Sequence, residues 1–71
     1  MYYGLTPKGR ALANTIRQER GNVRWSVINY LSRFSSARER RDVIDNTGAN
    51  GATFMWLKDN GIIYVSEGVS V

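Results

Sequence analysis

The chain has 71 residues, no cysteine, no histidine and a formal net charge of +4. A chain of this length forms one small domain, which we expect to span residues 1–71 and to have a modest core. Without cysteine or histidine it has no disulfide, no thiolate metal site and no imidazole base, so we expect neither an enzyme nor a metal or other cofactor. No apolar run approaches the roughly 20 residues that cross a bilayer, and residues 1–5 lack a signal-peptide pattern. We therefore expect a cytoplasmic protein with no membrane contact.

The basic side chains are concentrated in the first part of the chain. Residues 1–41 contain nine basic and two acidic residues, a balance of +7, whereas residues 42–71 contain one basic and four acidic residues, a balance of −3. A basic half of this kind indicates an anionic partner such as nucleic acid.

The first predicted elements are a short strand at Tyr2–Leu5 and a helix that follows it. Thr6 can cap this helix, and a proline next to it suits the first helical position, where its missing N–H has no partner in any case. Leu12 and Ile16 lie one turn apart on the apolar face, and Gly21 ends the helix.

Two further helices are predicted between residues 22 and 47. Asn22 can cap the first of them, whose apolar side chains recur every three or four residues: Val23, Val27, Tyr30, Leu31 and Phe34. Ser36-Ala37-Arg38-Glu39 matches a capping box and predicts a helix that begins there, runs to about Asn46 and places Val43 and Ile44 toward the core.

The last part of the chain predicts a fourth helix and a hairpin. Asn50 can cap the helix, Phe54 and Leu57 face inward, and Gly61 closes it in the left-handed conformation. The β-branched residues 62–65 then predict a strand that pairs with residues 69–71 across the turn Ser66-Glu67-Gly68.

Residues 23–71 resemble the winged helix-turn-helix superfamily of DNA-binding regulators. The resemblance rests on three motifs, Val27-Ile28-Asn29-Tyr30-Leu31, Arg41-Asp42-Val43-Ile44 before the turn at Gly48, and Leu57-Lys58-Asp59-Asn60-Gly61-Ile62-Ile63 at the exit into the wing. It implies an α+β fold, mainly α, with about four helices, a short C-terminal wing and an N-terminal strand. It also implies a small, dimeric transcription regulator whose recognition helix, near residues 50–60, binds double-stranded DNA.

Leu5-Thr6-Pro7-Lys8-Gly9-Arg10-Ala11-Leu12 resembles a second phrase of the same superfamily. In those proteins the phrase follows the wing, whereas here it comes first. We therefore expect Tyr2–Leu5 to lie beside the wing as a third strand, reached from the other end of the chain.

The resemblance also implies a set of DNA contacts. Near the third and fourth helices these are Ser36, Arg38, Arg41, Asn50, Thr53, Met55 and Lys58. The residues themselves allow simpler roles: Arg38 with Asp42 and Arg41 with Asp45 have the spacing of surface ion pairs on a solvated helix face, and Asn50 can act only as a helix cap. Without histidine or a third ligand, the two aspartates do not indicate catalysis.

A second basic group and the large apolar side chains leave another function open. The basic group could flank a duplex, meet an acidic protein or form an ordinary surface; it comprises Lys8, Arg10, Arg17, Arg20 and Arg24. Trp25, Met55 and Trp56 could belong to the core or be exposed anchors for a partner. The alternative function is therefore a protein-interaction adaptor or inhibitor on the same scaffold, of viral or mobile-element type, that binds a polymerase, nuclease or regulator.

Overall fold

The computed structural model describes residues 1–15 and 22–67. In chain order these residues form β1 (Tyr2–Leu5), α1 (Pro7–Thr15), α2 (Val23–Ser32), β2 (Arg38–Glu39), α3 (Arg40–Thr47), α4 (Gly51–Asp59) and β3 (Ile63–Ser66). The strands form one antiparallel sheet in the order β2-β1-β3, and the helices pack against it. The predicted α+β class, with four helices and an N-terminal strand, is confirmed for this part of the chain.

The N-terminal strand occupies the centre of the sheet. β1 pairs with β3 along its whole length, from Tyr2 opposite Ser66 to Leu5 opposite Ile63. Its first two residues also pair with β2 on the other side. Gly68 and residues 69–71, predicted to form the turn and the returning strand of the hairpin, lie outside the described residues, and the neighbour that β3 has in the sheet is β1.

α1 begins as the sequence predicts and packs closely against the exit from α4. The Thr6 hydroxyl accepts a hydrogen bond from the Gly9 N–H at 3.1 Å, and the Thr6 N–H donates to the Ile62 carbonyl at 3.0 Å. Gly9 is buried where an added methyl group would collide with that same carbonyl. Ile16 and Gly21, the predicted apolar neighbour and end of this helix, lie outside the described residues.

α2 is capped as predicted, but its apolar stripe is shorter than the sequence suggests. The Asn22 side chain accepts a hydrogen bond from the Arg24 N–H at 2.9 Å. The buried side chains of α2 are Val27, Ile28 and Leu31. Val23 is exposed because it lies in the first turn, ahead of the packed part of the helix, and Phe34 lies two residues beyond the last helical residue, Ser32.

The predicted capping box at residues 36–39 is wrong. Arg38 and Glu39 are extended because they pair with Tyr3 and Tyr2 of β1, and the Arg40 N–H donates to the Met1 carbonyl at 2.9 Å. α3 therefore begins at Arg40, and Glu39, at its N-cap, makes no side-chain capping bond. Pairing with a distant strand overrides the local capping signal.

α4 and its exit agree with the sequence in detail. The Asn50 side chain accepts a hydrogen bond from the Thr53 N–H at 3.0 Å, which confirms the predicted cap. Phe54 and Leu57 are buried, as expected for the inward face. Gly61 has a φ of +71°, the left-handed conformation that ends the helix and turns the backbone into β3.

The core joins the sheet to α2 and α4. The rings of Tyr3 on β1 and Phe54 on α4 stack with their centroids 4.1 Å apart. Val43 of α3 and Leu57 of α4 are fully buried in the same cluster. Among the described residues no polar or charged side chain is buried, so the core fixes the orientation of α4 through apolar packing alone.

Candidate functional site

The outward face of α4 is exposed and carries few charges. The 3.6-residue period that buries Phe54 and Leu57 turns Ala52, Met55 and Trp56 toward solvent. Met55 is 65% exposed and Trp56 is 38% exposed. Within the helix, Lys58 is the basic side chain and Asp59 the acidic one, so α4 alone is close to neutral.

Three basic side chains from other elements converge on this helix. The Arg24 guanidinium of α2 lies 4.1 Å from the centre of the Trp56 ring, and the Lys8 ammonium of α1 donates to the Asn60 carbonyl at 2.8 Å. The Arg40 guanidinium, at the start of α3, lies 5.8 Å from the centre of the Phe54 ring. With Lys58, four basic side chains therefore lie on or beside α4. The nearby carboxylates are Asp59 of α4 itself and, in the groove that Arg40 also borders, Glu39 and Asp45.

The cations lie along two grooves, one on each side of α4. On the sheet side a groove of about 420 Å³ is bordered by two basic side chains, Arg40 and Lys58, one acidic side chain, Asp59, and the apolar Met55. Arg24 and Lys8 border the groove on the opposite side. An anionic partner that lies along α4 therefore meets positive charge at both of its edges.

We define the groove on the opposite side, between α1, α2 and α4, as the indole cleft. Its volume is about 330 Å³, and the residues that line it include Lys8, Leu12, Arg24, Trp25, Ile28 and Trp56. Both tryptophans of the chain line it. Trp25 is half-buried and packs against the core, whereas Trp56 and Arg24 are exposed. Of the two tryptophans, which the sequence left as either core or interface, Trp25 thus packs against the core, and an interface role stays a prediction for both.

The first turn of α4 uses its polar side chains for capping. The carboxamide oxygen of Asn50 accepts from the Thr53 N–H at 3.0 Å and from the Thr53 hydroxyl at 3.2 Å. The capping role weighed for Asn50 is therefore present, and Asn50 remains exposed at the end of the helix. Contact with a base edge stays a prediction for both residues.

Arg38 is held in a polar network away from α4. Its Nε and Nη2 donate to one Asp42 carboxylate oxygen at 3.0 and 2.7 Å, and the Tyr30 hydroxyl donates to the same oxygen at 2.8 Å. These hydrogen bonds from Tyr30 and Arg38 lower the pKa of Asp42, while the bond to Asp42 raises the pKa values of Tyr30 and Arg38. The Arg38 guanidinium also lies 4.3 Å from the centre of the Phe34 ring.

The other predicted DNA contacts near α3 are Ser36 and Arg41, and for Arg41 the sequence also allowed a surface ion pair. Among the described residues the one ion pair is Arg38 with Asp42, so the second pair expected from the spacing, Arg41 with Asp45, does not form. Exposed long side chains gain little from such a pair in water. Ser36 and Arg41 are exposed, and Arg41 lies near Glu39 and Asp45.

The second basic group does not act as one surface in the structure. Lys8 and Arg24 face α4, whereas the Arg10 guanidinium donates to the Phe34 carbonyl at 2.9 Å on another side of the molecule. Arg17 and Arg20 lie outside the described residues. Arg40, at the start of α3, joins the group at α4 through its contact with the Phe54 ring, and no local pattern in the sequence marks this contact.

The described residues contain neither a cluster of metal-ligating side chains nor a membrane-spanning helix. Within residues 1–15 and 22–67, no three acidic side chains come together in a way that could hold a metal ion. None of the helices described above has the length and apolar character needed to cross a membrane. Comparison with protein families, curated proteins and solved structures gave no significant match to this chain.

Proposed function

We propose that this protein is a small DNA-binding regulator of the winged helix-turn-helix type, with α4 as its recognition helix. The observation that supports it best is the convergence of Lys8, Arg24 and Arg40, from three other elements, on a helix that is nearly neutral by itself. The sequence separates most basic residues from the helix expected to read DNA, and the fold brings them together again. A positive rim around an exposed helix is the electrostatic pattern that duplex DNA requires.

The order and packing of the elements support the same proposal. α2 packs against both α3 and α4, and the two latter helices are joined by a turn at Gly48, whose φ is +76°. β3 follows α4 directly, and β1 lies beside β3 in the position of the returning strand of a wing. In the proposed assignment, α3 and α4 would form the helix-turn-helix, and β3 with β1 would form the wing, one strand of which comes from the other end of the chain.

The geometry indicates how α4 would lie on a duplex. A recognition helix in the major groove has a phosphate backbone on each side. Arg24 and Lys8 on one side, and Arg40 and Lys58 on the other, are placed to contact these two backbones. Between them the outward face offers an apolar side chain, Met55, which suits contact with a thymine methyl group.

The test is a titration with random-sequence duplex DNA at several salt concentrations. Affinity should fall steeply as salt rises, and Arg40→Ala or Lys58→Ala should each reduce the slope of log K against log salt by about 0.9, the value of one lost phosphate contact. Arg33→Ala is the matched control, because Arg33 is exposed at the end of α2 in a groove formed with Ser26 and Asn46 rather than with α4.

Two results would contradict the proposal. One is the absence of duplex binding at low salt, and the other is an equal change of slope in the Arg33→Ala control. Sedimentation of the free protein and of the complex, carried out alongside, tests the expected dimer.

The exposure of Met55 and Trp56 favours a second candidate function, a protein-interaction adaptor or inhibitor on the same scaffold. Met, Trp and Arg are enriched at the centres of protein interfaces, and Arg24 lies directly on Trp56. If this function is correct, Trp56→Ala should abolish capture of a protein partner while the variant stays folded, and duplex DNA should not bind. Capture that survives in Trp56→Ala would count against it.

A further inference from the structure

We propose that the indole cleft stacks an unpaired base of the DNA partner, next to the duplex bound along α4. The inference rests on the proposed function and extends it from duplex DNA to the junction between a duplex and a single strand. Its starting point is composition: the cleft contains both tryptophans of the chain and two cations, and none of the residues that line it is acidic.

The side chains of the cleft match those of single-strand binding sites. Proteins that hold single strands combine cations, which follow the phosphates, with aromatic rings on which the bases stack. Here Lys8 and Arg24 supply the charge at the rim, and Trp25 and Trp56 supply the rings. The Arg24 guanidinium, 4.1 Å from the centre of the Trp56 ring, already shows that a planar cation fits against this indole.

The cleft is held in place by the fold. Trp25 packs against the hydrophobic core, and the Asn60 side chain donates to the Trp56 carbonyl at 2.8 Å. The Asn60 carbonyl accepts the hydrogen bond from Lys8, which ties α1 to the end of α4. The two rings therefore lie on elements with fixed relative positions, as a preformed stacking site needs.

The size and openness of the cleft favour a single base over a larger ligand. Its volume of about 330 Å³ lies at the low end of the range of about 300–1,000 Å³ for pockets that enclose small molecules. Trp56 and Arg24 remain exposed at its rim, so a bound group stays connected to solvent and to a continuing strand. Bases inside a duplex stack are not accessible to such a site, whereas unpaired bases are.

Three DNAs test the inference: a blunt duplex, the same duplex with a three-nucleotide single-stranded overhang of thymidines, and the same overhang with abasic sites. Binding is measured by anisotropy of labelled DNA and by the intrinsic tryptophan fluorescence, which reports on this cleft alone because both tryptophans line it. We expect the thymidine overhang to bind about tenfold tighter than the blunt duplex and to quench the emission. The abasic overhang should lose both effects.

Two neighbouring variants on α4 provide the matched comparison. Trp56→Ala should reduce the overhang-to-blunt affinity ratio to about one. Met55→Ala should keep that ratio, because Met55 is the exposed apolar neighbour of Trp56 but borders the sheet-side groove. Circular dichroism melting of both variants checks that they are folded, and because the readout is a ratio, a uniform loss of DNA affinity does not affect it.

The outcomes separate this inference from the proposed function. If the blunt duplex binds but the thymidine and abasic overhangs bind no better, the stacking site is refuted and duplex binding stands. If none of the three DNAs binds at low salt, the proposed function fails and the inference falls with it. If a synthetic peptide with a Phe-Leu pair between aspartates quenches the fluorescence at lower concentration than the overhang does, the cleft is a protein-docking site and the inference is overturned.

Discussion

Replacement of Gly9 by alanine should destabilise the protein, although helix propensity predicts the opposite. Gly9 lies inside α1, where alanine is normally favoured by about 1 kcal/mol. The added methyl group would meet the Ile62 carbonyl, which cannot easily move because it accepts the Thr6 N–H, and it would lie 2.9 Å from a Leu5 methyl group. Overpacking costs about 1–3 kcal/mol, and a clash with a backbone atom lies at the upper end of that range. After the gain of about 1 kcal/mol in helix propensity, we expect a net loss of about 2 kcal/mol and a fall in Tm of about 8–16 °C.

The assay is urea unfolding followed by tryptophan fluorescence and by circular dichroism. Gly51→Ala is the matched control: it also places alanine in a helix, but the new methyl group meets only the Arg40 side chain at 3.7 Å, an ordinary contact. The control should be as stable as the original protein or up to about 1 kcal/mol more stable. If Gly9→Ala proves as stable as the original, the close contact between α1 and the start of β3 is wrong, and so is the placement of Lys8 beside α4.

Two further predictions concern the polar side chains of α3 and α4. Hydrogen bonds from Tyr30 and Arg38 lower the pKa of Asp42 below its ordinary value of 3.8. Ionised Asp42 therefore stabilises the fold above pH 3.8, and this stabilisation is lost as the pH falls through the lowered pKa of the folded state. Acid titrations of stability should therefore be flatter for Asp42→Asn, and parallel curves would contradict the network. Asn50→Ala should lose about 1 kcal/mol of stability, because the cap to the Thr53 N–H is missing, whereas Asn50→Asp can still cap and should keep its stability. An equal loss in both variants would show that Asn50 does not stabilise the protein by capping.

The sequence predicted those parts of the fold that depend on neighbouring residues. The caps at Asn22 and Asn50 and the left-handed Gly61 each act within a few residues, and all three are found as expected. The signal at residues 36–39 was equally local but misleading. There, two backbone positions pair with Tyr2 and Tyr3, more than thirty residues away, and this pairing decides the conformation.

The site was less predictable because its parts come from distant positions. Lys8, Arg24 and Arg40 belong to three elements, and only the folded chain brings their charges to α4 and its C-terminal end. Helical periodicity left the position of Trp56 undecided, since it lies at the boundary between the inward and outward faces. The distribution of charge along the chain led to the prediction of an anionic partner, but it placed the predicted recognition helix in the acidic half.

The central position of β1 has a consequence for synthesis in the cell. Residues 2–5 are synthesised before their main partner, Ile63–Ser66, which is made several seconds later at the usual rate of about 5–20 residues per second. During that interval the nascent chain exposes a short tyrosine- and leucine-containing segment with both backbone edges unpaired. The pairing of β1 with β3 can therefore form only after residues 63–66 have been translated, and cellular chaperones that shield such segments would bind at β1 in the meantime.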